Sequence, residues 1–509
     1  MLEPSRTYKR DLKTAIDWKL IICYLLLVFI GWINVYASVH SENPASIFDW
    51  NSRCGKQFVW MLTSFGLAAL ILFVFRARLW EVISVPSYAF VVVLLILVIF
   101  VSRDVKGSHS WFEFGPIKFQ PAEISKITTS LVLAATMSKP NFKLANTKDF
   151  LLVAAIIGLP MLSIVAESET GSALVYVGFI FMLYREGLSG WLLFMAGMAI
   201  LLFIMTLTMS PYASIMLLMT IISFSYALNK GREKKWFVTE GLMMLFLAFL
   251  PKLWAALCER LIPGASIVGM VDASVQGAIL DHSRWAFLLK FNPIWLLYFM
   301  ILVSIPMLIA KAYRAKSIFI WSTLGALMLG ISLVFSTDFL FNNVLQDHQR
   351  GRIEVLLGMK EDLAGLGYNV NQSKIAIGSG GFFGKGFLEG TQTTYGFVPE
   401  QSTDFIFCTV GEEWGFLGCA VVILLYVFLI SRIVIDAEKS REAFTRIYGY
   451  CVASCIFMHL FINIGMTIGL MPVIGIPLPL LSYGGSSLWA FTILIFIFIA
   501  LDREENKYF

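Results

Sequence analysis

Apolar runs long enough to cross a bilayer recur along almost the whole of this chain, and that repetition constrains its fold more than any motif does. A helix needs about 20 apolar residues to span roughly 30 Å of hydrocarbon. Runs of that kind lie at 18–37, 57–75, 80–101, 121–137, 150–166, 171–184, 190–209, 211–228, 236–251, 293–310, 318–340, 415–435, 446–466 and 484–501. The expected fold is therefore all-α, a polytopic integral membrane protein of about 14 transmembrane helices. Composition agrees: 58% of residues are hydrophobic and 14% charged, with a mean hydropathy of +0.77, far from soluble averages. No long polar segment is left to build a soluble domain, apart from residues 346–415.

The first run follows Arg6, Lys9, Arg10 and Lys13. It exceeds the roughly 7–15 apolar residues of a cleaved signal, so it reads as a retained helix with a cytoplasmic N-terminus. Counting from there, Arg76–Arg78, Lys139–Lys148, Arg185, Lys230–Lys235, Lys311–Lys316 and Arg432–Arg446 all fall on the cytoplasmic side, and each loop is basic, as orientation by positive charge requires. The opposite side receives 38–56, 102–120, 167–170, 252–292, 346–415 and 467–483. The motif-like sequence thus gathers outside a cytoplasmic (inner) membrane. A net charge of +5 then reports loop orientation and contact with membrane lipids, not nucleic acid. The seven cysteines contain no CxxC and suggest neither a metal site nor a disulfide framework. Cys54 and Cys258 are the one pair that could be bridged.

The stretch 346–415 carries clustered carboxylates, arginines and amides among Gly365, Gly367, Gly378, Gly380, Gly381, Gly384, Gly386 and Gly390. So many glycines predict a tightly turning loop rather than a helix. GSGGFFGKG invites comparison with a phosphate-binding loop, but Ser379 stands where the first glycine is required and Gly386 follows Lys385 where Ser or Thr is required. Glu412 and Glu413 read as caps of the next helix. In GSHSWFEFGPIKFQPAEISKI, Pro121 suits a first helical turn, and Glu123 and Lys126 share one helix face as an ion pair. AESETGSALVY places Glu167 and Glu169 at the mouth of two helices. Pro472, Pro477 and Pro479, followed by Ser482, Tyr483 and Gly484, cannot be helical throughout. At membrane depth such backbone must be buried in protein or line a cavity.

Four segments, WFEFGPIKFQPAEISKI, GYNVNQSKIAIGSGGFFGKGFLEGTQ, FVPEQSTDFIFCTVGEEWGFLG and LMPVIGIPLPLLSYGGSS, resemble the SEDS family (shape, elongation, division and sporulation). They are closer to its elongation-type than to its division-type members. The resemblance covers about 1–209 and 318–509, implying a ten-helix core in two parts with its catalytic loop at 341–414. About four further helices at 210–317 have no counterpart in it. Ser110, the segment SETGSAL and Leu363 depart from the family pattern. The resemblance implies a peptidoglycan glycosyltransferase that polymerises lipid II outside the membrane for cell-wall elongation. The implied partners are a class B penicillin-binding protein and the cell-elongation machinery. In EDLAGLGYNVNQS the family's essential carboxylate corresponds to Asp362.

The chemistry asks for a base to take the acceptor hydroxyl's proton and for cations facing the departing diphosphate. Asp362 can be the base, with Glu400 or Asp404 as alternatives, and Lys126, Arg350, Arg352 and Lys374 can neutralise phosphate. Glu123, Gln372, Ser482 and Gly484, together with Glu400 and Asp404, complete the expected substrate contacts. No cofactor is demanded; a divalent cation (Mg or Mn) could bridge Asp362 and the diphosphate, but no dense set of oxygen ligands requires one. The rival readings are a lipid II flippase or transporter, a division-type polymerase and a non-catalytic scaffold. The absence of an internal repeat and the gathering of polar residues on one face argue against transport.

Overall fold

The structure is a computed structural model describing residues 16–39, 46–102, 110–114, 117–208, 211–229, 234–261, 318–345, 347–359 and 367–506, with isolated positions between 295 and 313. It is almost wholly helical. Eight helices among the described residues are long and apolar enough to cross a membrane, so the chain is a multi-pass membrane protein. It divides into two compact units, one of 1–190 with 352–509 and one of 191–351.

The first unit opens with α1 (Trp18–Val39), α2 (Arg53–Phe73) and α3 (Ala77–Val101). A two-stranded hairpin follows, β1 (Phe112–Phe114) antiparallel to β2 (Ile117–Phe119), an addition to the all-α expectation. Then come α4 (Pro121–Met137), α5 (Thr147–Ala166), α6 (Thr170–Val177) and α7 (Phe179–Arg185). The expected span 171–184 is interrupted at Gly178, where a Cβ would run into Met458. The chain returns to this unit at Arg352, within α13 (Asp347–Leu356), and continues through α14 (Tyr368–Ser379), α15 (Thr391–Thr394), α16 (Ile406–Lys439), α17 (Ala443–Thr467) and α18 (Gly485–Asn506). The second unit holds α8 (Gly190–Thr208), α9 (Pro211–Asn229), α10 (Lys234–Ala248), α11 (Leu250–Leu261) and α12 (Ile318–Phe339), with a core of Leu202, Ile215, Met216, Leu327 and Val334.

The centre of the first unit follows from small residues. Buried share reaches 83% in α17 and 78% in α18 against 22% in α5, making α17 and α18 the axis and α5 a lipid-facing helix. Gly449 of α17 lets three helices meet, since a Cβ there would lie 2.6 Å from the Phe498 ring and 2.8 Å from Ala437. Small residues at such contacts are what allow helices to associate where lipid supplies no hydrophobic drive. Hydroxyls of α4 add short polar contacts, Ser125 with Tyr176 at 2.5 Å and Ser130 to its own helix at 2.7 Å. At the end that carries the basic loops, Arg185 grips Glu438 through two bonds of 2.7 and 2.6 Å and Arg446 grips Glu186 at 3.0 and 3.1 Å. Cys54 is a free, buried thiol; the side chain of Cys258, its expected counterpart, lies outside the described residues.

The stretch 346–415 is not a loop throughout, because α13, α14 and α15 lie within it. Between Tyr368 and Ile377 no glycine interrupts the chain, and Ser373 and Ala376 give that segment a buried face. Glycines resume at 378, where the helix soon ends. They then do something the sequence did not announce. Helix α16 is broken at Gly415 (φ 64°, ψ −158°), which orphans two amides and two carbonyls. The glycine run answers all four: Phe416 and Leu417 donate to the carbonyls of Gly381 and Phe382, while Lys385 and Gly386 donate to those of Glu412 and Glu413, at 2.9–3.1 Å. The backbones come so close that a Cβ on Gly384 or Gly415 would overlap the other segment. Gly415→Ala should therefore cost about 1–3 kcal/mol for a positive-φ, extended-ψ conformation that only glycine adopts readily, plus the overlap, and lower the melting temperature in detergent by several degrees. Gly197→Ala, with open space around its Cβ, should leave it unchanged or raise it; equal melting of the two variants would refute the closure at Gly415.

Candidate functional site

One end of the first unit is built around residues 468–484, the proline-containing segment between α17 and α18. Prolines deny it helical bonding, and the surrounding helices take over its carbonyls. Asn463 donates to Ile476 at 2.7 Å and to Asp404 at 2.8 Å, the Tyr426 hydroxyl donates to Pro479, and the His459 ring meets Pro477 at 3.2 Å. Ser482 accepts from the Leu478 amide at 2.8 Å and donates to the Thr403 carbonyl at 2.5 Å. Gly484 donates to the Gln57 side chain at 3.2 Å, and Arg53 donates to Ser402 at 2.6 Å. The segment is thereby fixed against 398–405 and the start of α2.

Several of the expected site residues meet on this segment. Arg352, half-buried, donates to the Val473 carbonyl at 2.8 Å. Lys374, exposed on α14, lies where a Cβ on Gly469 (φ 76°) would be, and the Asp404 carboxylate borders Gly475, 3.4 Å from where its Cβ would be. Ser373 ties α14 to the same place through the Thr467 carbonyl at 2.6 Å and Cys408 at 2.8 Å. Gln372 is half-buried on α14. Glu400 is exposed in a left-handed turn (φ 52°), with the Thr403 hydroxyl 3.2 Å from its carbonyl. Arg350 belongs to the second unit, where it lies 3.8 Å from Asp347. Asp362 lies outside the described residues.

Glu123 and Lys126 form the ion pair their spacing suggested, at 2.9 Å, and both side chains are 3% exposed. The ammonium also meets His459 Nε2 at 2.9 Å and faces the Phe491 ring at 5.2 Å. A neutral imidazole with its proton on Nδ1 satisfies both contacts of His459, donating to Pro477 and accepting from Lys126. Lys126 thus acts inside the protein, holding the proline segment through His459. Sequence reasoning missed His459 and Asn463. Their signal was present: two polar residues four apart on one face of an otherwise apolar helix.

Beside this pair, Glu169 accepts from Gln120 and, at 3.2 Å, from Ser172. Burial raises its pKa, opposed by hydrogen bonds from Ser110 and Ser172. Glu167, fully buried and with neither oxygen partnered among the described residues, has its pKa pushed up to about 9 by burial and then by the charge of Glu169, a shift that favours the neutral acid. Among the described residues no group of three His, Cys, Asp or Glu could hold a metal ion.

Glu412 corrects an expectation. Its carboxylate does not cap the helix that follows; it receives the Gln392 and Thr393 amides at 2.8 Å each, the Thr393 hydroxyl at 2.6 Å, Lys385 at 2.7 Å and Thr391 at 3.3 Å. It is thus the distant cap of α15, supplying to amides near its start what a local side chain would otherwise provide. The reason is tertiary: the break at Gly415 holds the glycine run, and with it α15, against the start of α16.

Removing one member of a buried ion pair strands the other and costs about 3–5 kcal/mol, whereas replacing both by apolar groups is far milder. Lys126→Met should lower the melting temperature more than Lys126→Met combined with Glu123→Leu. If the double variant melts no higher than the single one, the pair is not coupled as described.

Comparison with known proteins matches the geometry to a family. The model of the cell cycle protein family FTSW_RODA_SPOVE matches residues 17–246 and 282–507, leaving 247–281 between its segments. The "Peptidoglycan glycosyltransferase RodA" of Treponema pallidum is 28% identical over 96% of this chain and 98% of its own. The "Peptidoglycan glycosyltransferase MrdB" of Escherichia coli is 43% identical over 32% of this chain and 44% of its own. Two solved structures share the fold. One is a chain from work on the coordination of polymerization and crosslinking by a peptidoglycan synthase complex (TM-score 0.56, 20% identity, 96% of this chain and 98% of that one). The other is a mutant of the Thermus thermophilus rod shape determining protein RodA (TM-score 0.51, 18% identity, 96% and 98%). A match that runs through both parts of the helical core and through the site segments makes this chain a member of the FTSW_RODA_SPOVE family of cell cycle proteins, the SEDS family that its motifs resemble.

Proposed function

We propose that this chain is a peptidoglycan glycosyltransferase of the elongation type, polymerising lipid II into glycan strands on the extracytoplasmic face of the cytoplasmic membrane. The observation that carries this reading is the convergence of Arg352, Lys374 and Asp404 on residues 469–475, in a chain whose relative over nearly its full length bears that activity in its name. In the reaction an acceptor sugar hydroxyl attacks the anomeric carbon of a lipid-linked sugar. A C–O bond forms, the bond to the diphosphate breaks, the hydroxyl proton passes to a base and the diphosphate leaves with the bonding pair.

Asp362 is the proposed base. Lys374 and Arg352 are the proposed counter-charges for the diphosphate; the bond to Val473 engages one N–H of a five-donor guanidinium fork. Lys126 and Glu123 are proposed to shape the site from within. The name of the synthase complex that shares the fold, with its polymerization and crosslinking, supports a class B penicillin-binding protein as partner.

The test is purified protein with labelled lipid II, with and without the class B partner, read as glycan strands on a gel. Asp362→Asn keeps shape but cannot accept a proton, and should lower strand synthesis about 10²–10⁴-fold while the protein stays folded. Arg352→Lys should lower it only in part. Wild-type synthesis by Asp362→Asn would remove Asp362 as the base, and movement of lipid without strands would favour a flippase. For the orientation, a cysteine replacing the exposed Glu389 should react with an impermeant reagent in intact cells; reaction only after permeabilisation would put the site on the wrong side for this substrate.

A further inference from the structure

The glycine run that closes the break in α16 also carries aromatic side chains that the site chemistry does not use. Phe383 is 78% exposed, Phe416 63% and Phe382 57%; Phe387 and Trp414 are also exposed. They are ordered against one another. Phe382 stacks on Phe416 with centroids 5.6 Å apart, and Phe387 lies 5.9 Å from Trp414. Four backbone hydrogen bonds across the break hold the two segments that bear them. Five large apolar rings presented to the outside by a fixed loop need an occupant.

Their place in the fold says which. Below them on α16, Leu417, Val421, Leu424, Phe428 and Ile435 are exposed along one helical face, the stripe that a spanning helix turns to lipid. From Leu417 to Ile435 that stripe is about 27 Å long, close to the roughly 30 Å of a hydrocarbon core. The rings therefore begin where the hydrocarbon ends. Phe387 also meets Tyr36 near the end of α1 at 6.5 Å, and the outer face of α1 continues downward as Phe29, Leu25 and Ile22, likewise exposed. Lys385, the one cation among 380–390, is paired with Glu412 at 2.7 Å, so its charge is balanced within the protein and does not draw the rings away from lipid. We propose that these five aromatics form a platform seated at the headgroup boundary of the bilayer, binding lipid and holding the loop at the membrane surface. Aromatic rings favour that level because it offers apolar contact and polar surroundings together. The platform rests on the helix geometry alone and stands whether or not the chain is a glycosyltransferase.

The experiment places an environment-sensitive fluorophore on Phe383→Cys, in nanodiscs holding one copy of the full chain, so that neither a partner nor a second copy can cover it. Phe383 packs so little that the variant should elute and melt as the parent does; the parent's described cysteines are buried, and its own labelling sets the background. Lipids with a nitroxide at the headgroup or upper acyl chain should quench the probe by about two-fold or more, and aqueous iodide should quench it little. Iodide quenching equal to that of the free dye would overturn the proposal. So would stronger quenching by a nitroxide at the acyl terminus than by the shallow label.

Discussion

A backbone amide or carbonyl without a partner is costly where water is scarce, and the structure of this protein depends on how that constraint is met at two places where helix fails. At Gly415 the main chain of a long helix turns out of helical geometry, and four orphaned groups are answered by the main chain of 381–386. At 468–484 the prolines leave successive carbonyls open, and side chains of α16 and α17 fill them: Asn463, His459 and Tyr426 each take one. Non-helical backbone at membrane depth is tolerated only when protein or a cavity surrounds it. Here protein supplies the partners, and the proline segment becomes the ground on which Arg352, Lys374 and Asp404 meet.

The two solutions differ in kind. Main chain answering main chain needs only close approach, hence the density of glycine at 380–386 and 415. Side chains answering main chain need polar residues on otherwise apolar helices, and each such residue must then be satisfied in turn. His459 illustrates the consequence. By giving its Nδ1 proton to Pro477 it leaves Nε2 to Lys126, which balances Glu123, so one proline carbonyl is linked to a buried charge pair on α4, near the other end of the chain.

Much of this was legible in the sequence. Apolar runs located the eight long apolar helices found among the described residues, Pro121 the start of α4, and the spacing of Glu123 and Lys126 their pairing, because each depends on neighbours within a turn or two. The prolines of 472–479 announced a segment that could not be helical. What escaped the sequence depends on partners far along the chain. Glu412 looked like a cap for its own helix and instead caps α15 twenty residues earlier. The glycine run looked like a turning loop and is half of a closure whose other half is at Gly415. Residues 368–377 read as loop because glycines flank them, although between the flanks a buried face at Ser373 and Ala376 is enough for a helix. The family motifs named Asp362, but the described residues do not include it, and its role rests on resemblance and on the proposed chemistry.

The break at Gly415 also resolves a mismatch of length. Helix α16 runs for 34 residues, which straight would measure about 51 Å, some 20 Å more than a hydrocarbon core. A continuous helix of that length would have to tilt steeply, thin or thicken the lipid around it, or project far into water. Breaking it near its start divides the surplus from the span. The portion beyond Gly415 carries the lipid-facing stripe, while residues 406–413, all buried, turn into the protein as the floor beneath the loops. One element thus meets the thickness of the membrane and the depth of the site independently, and neither dimension has to be compromised for the other.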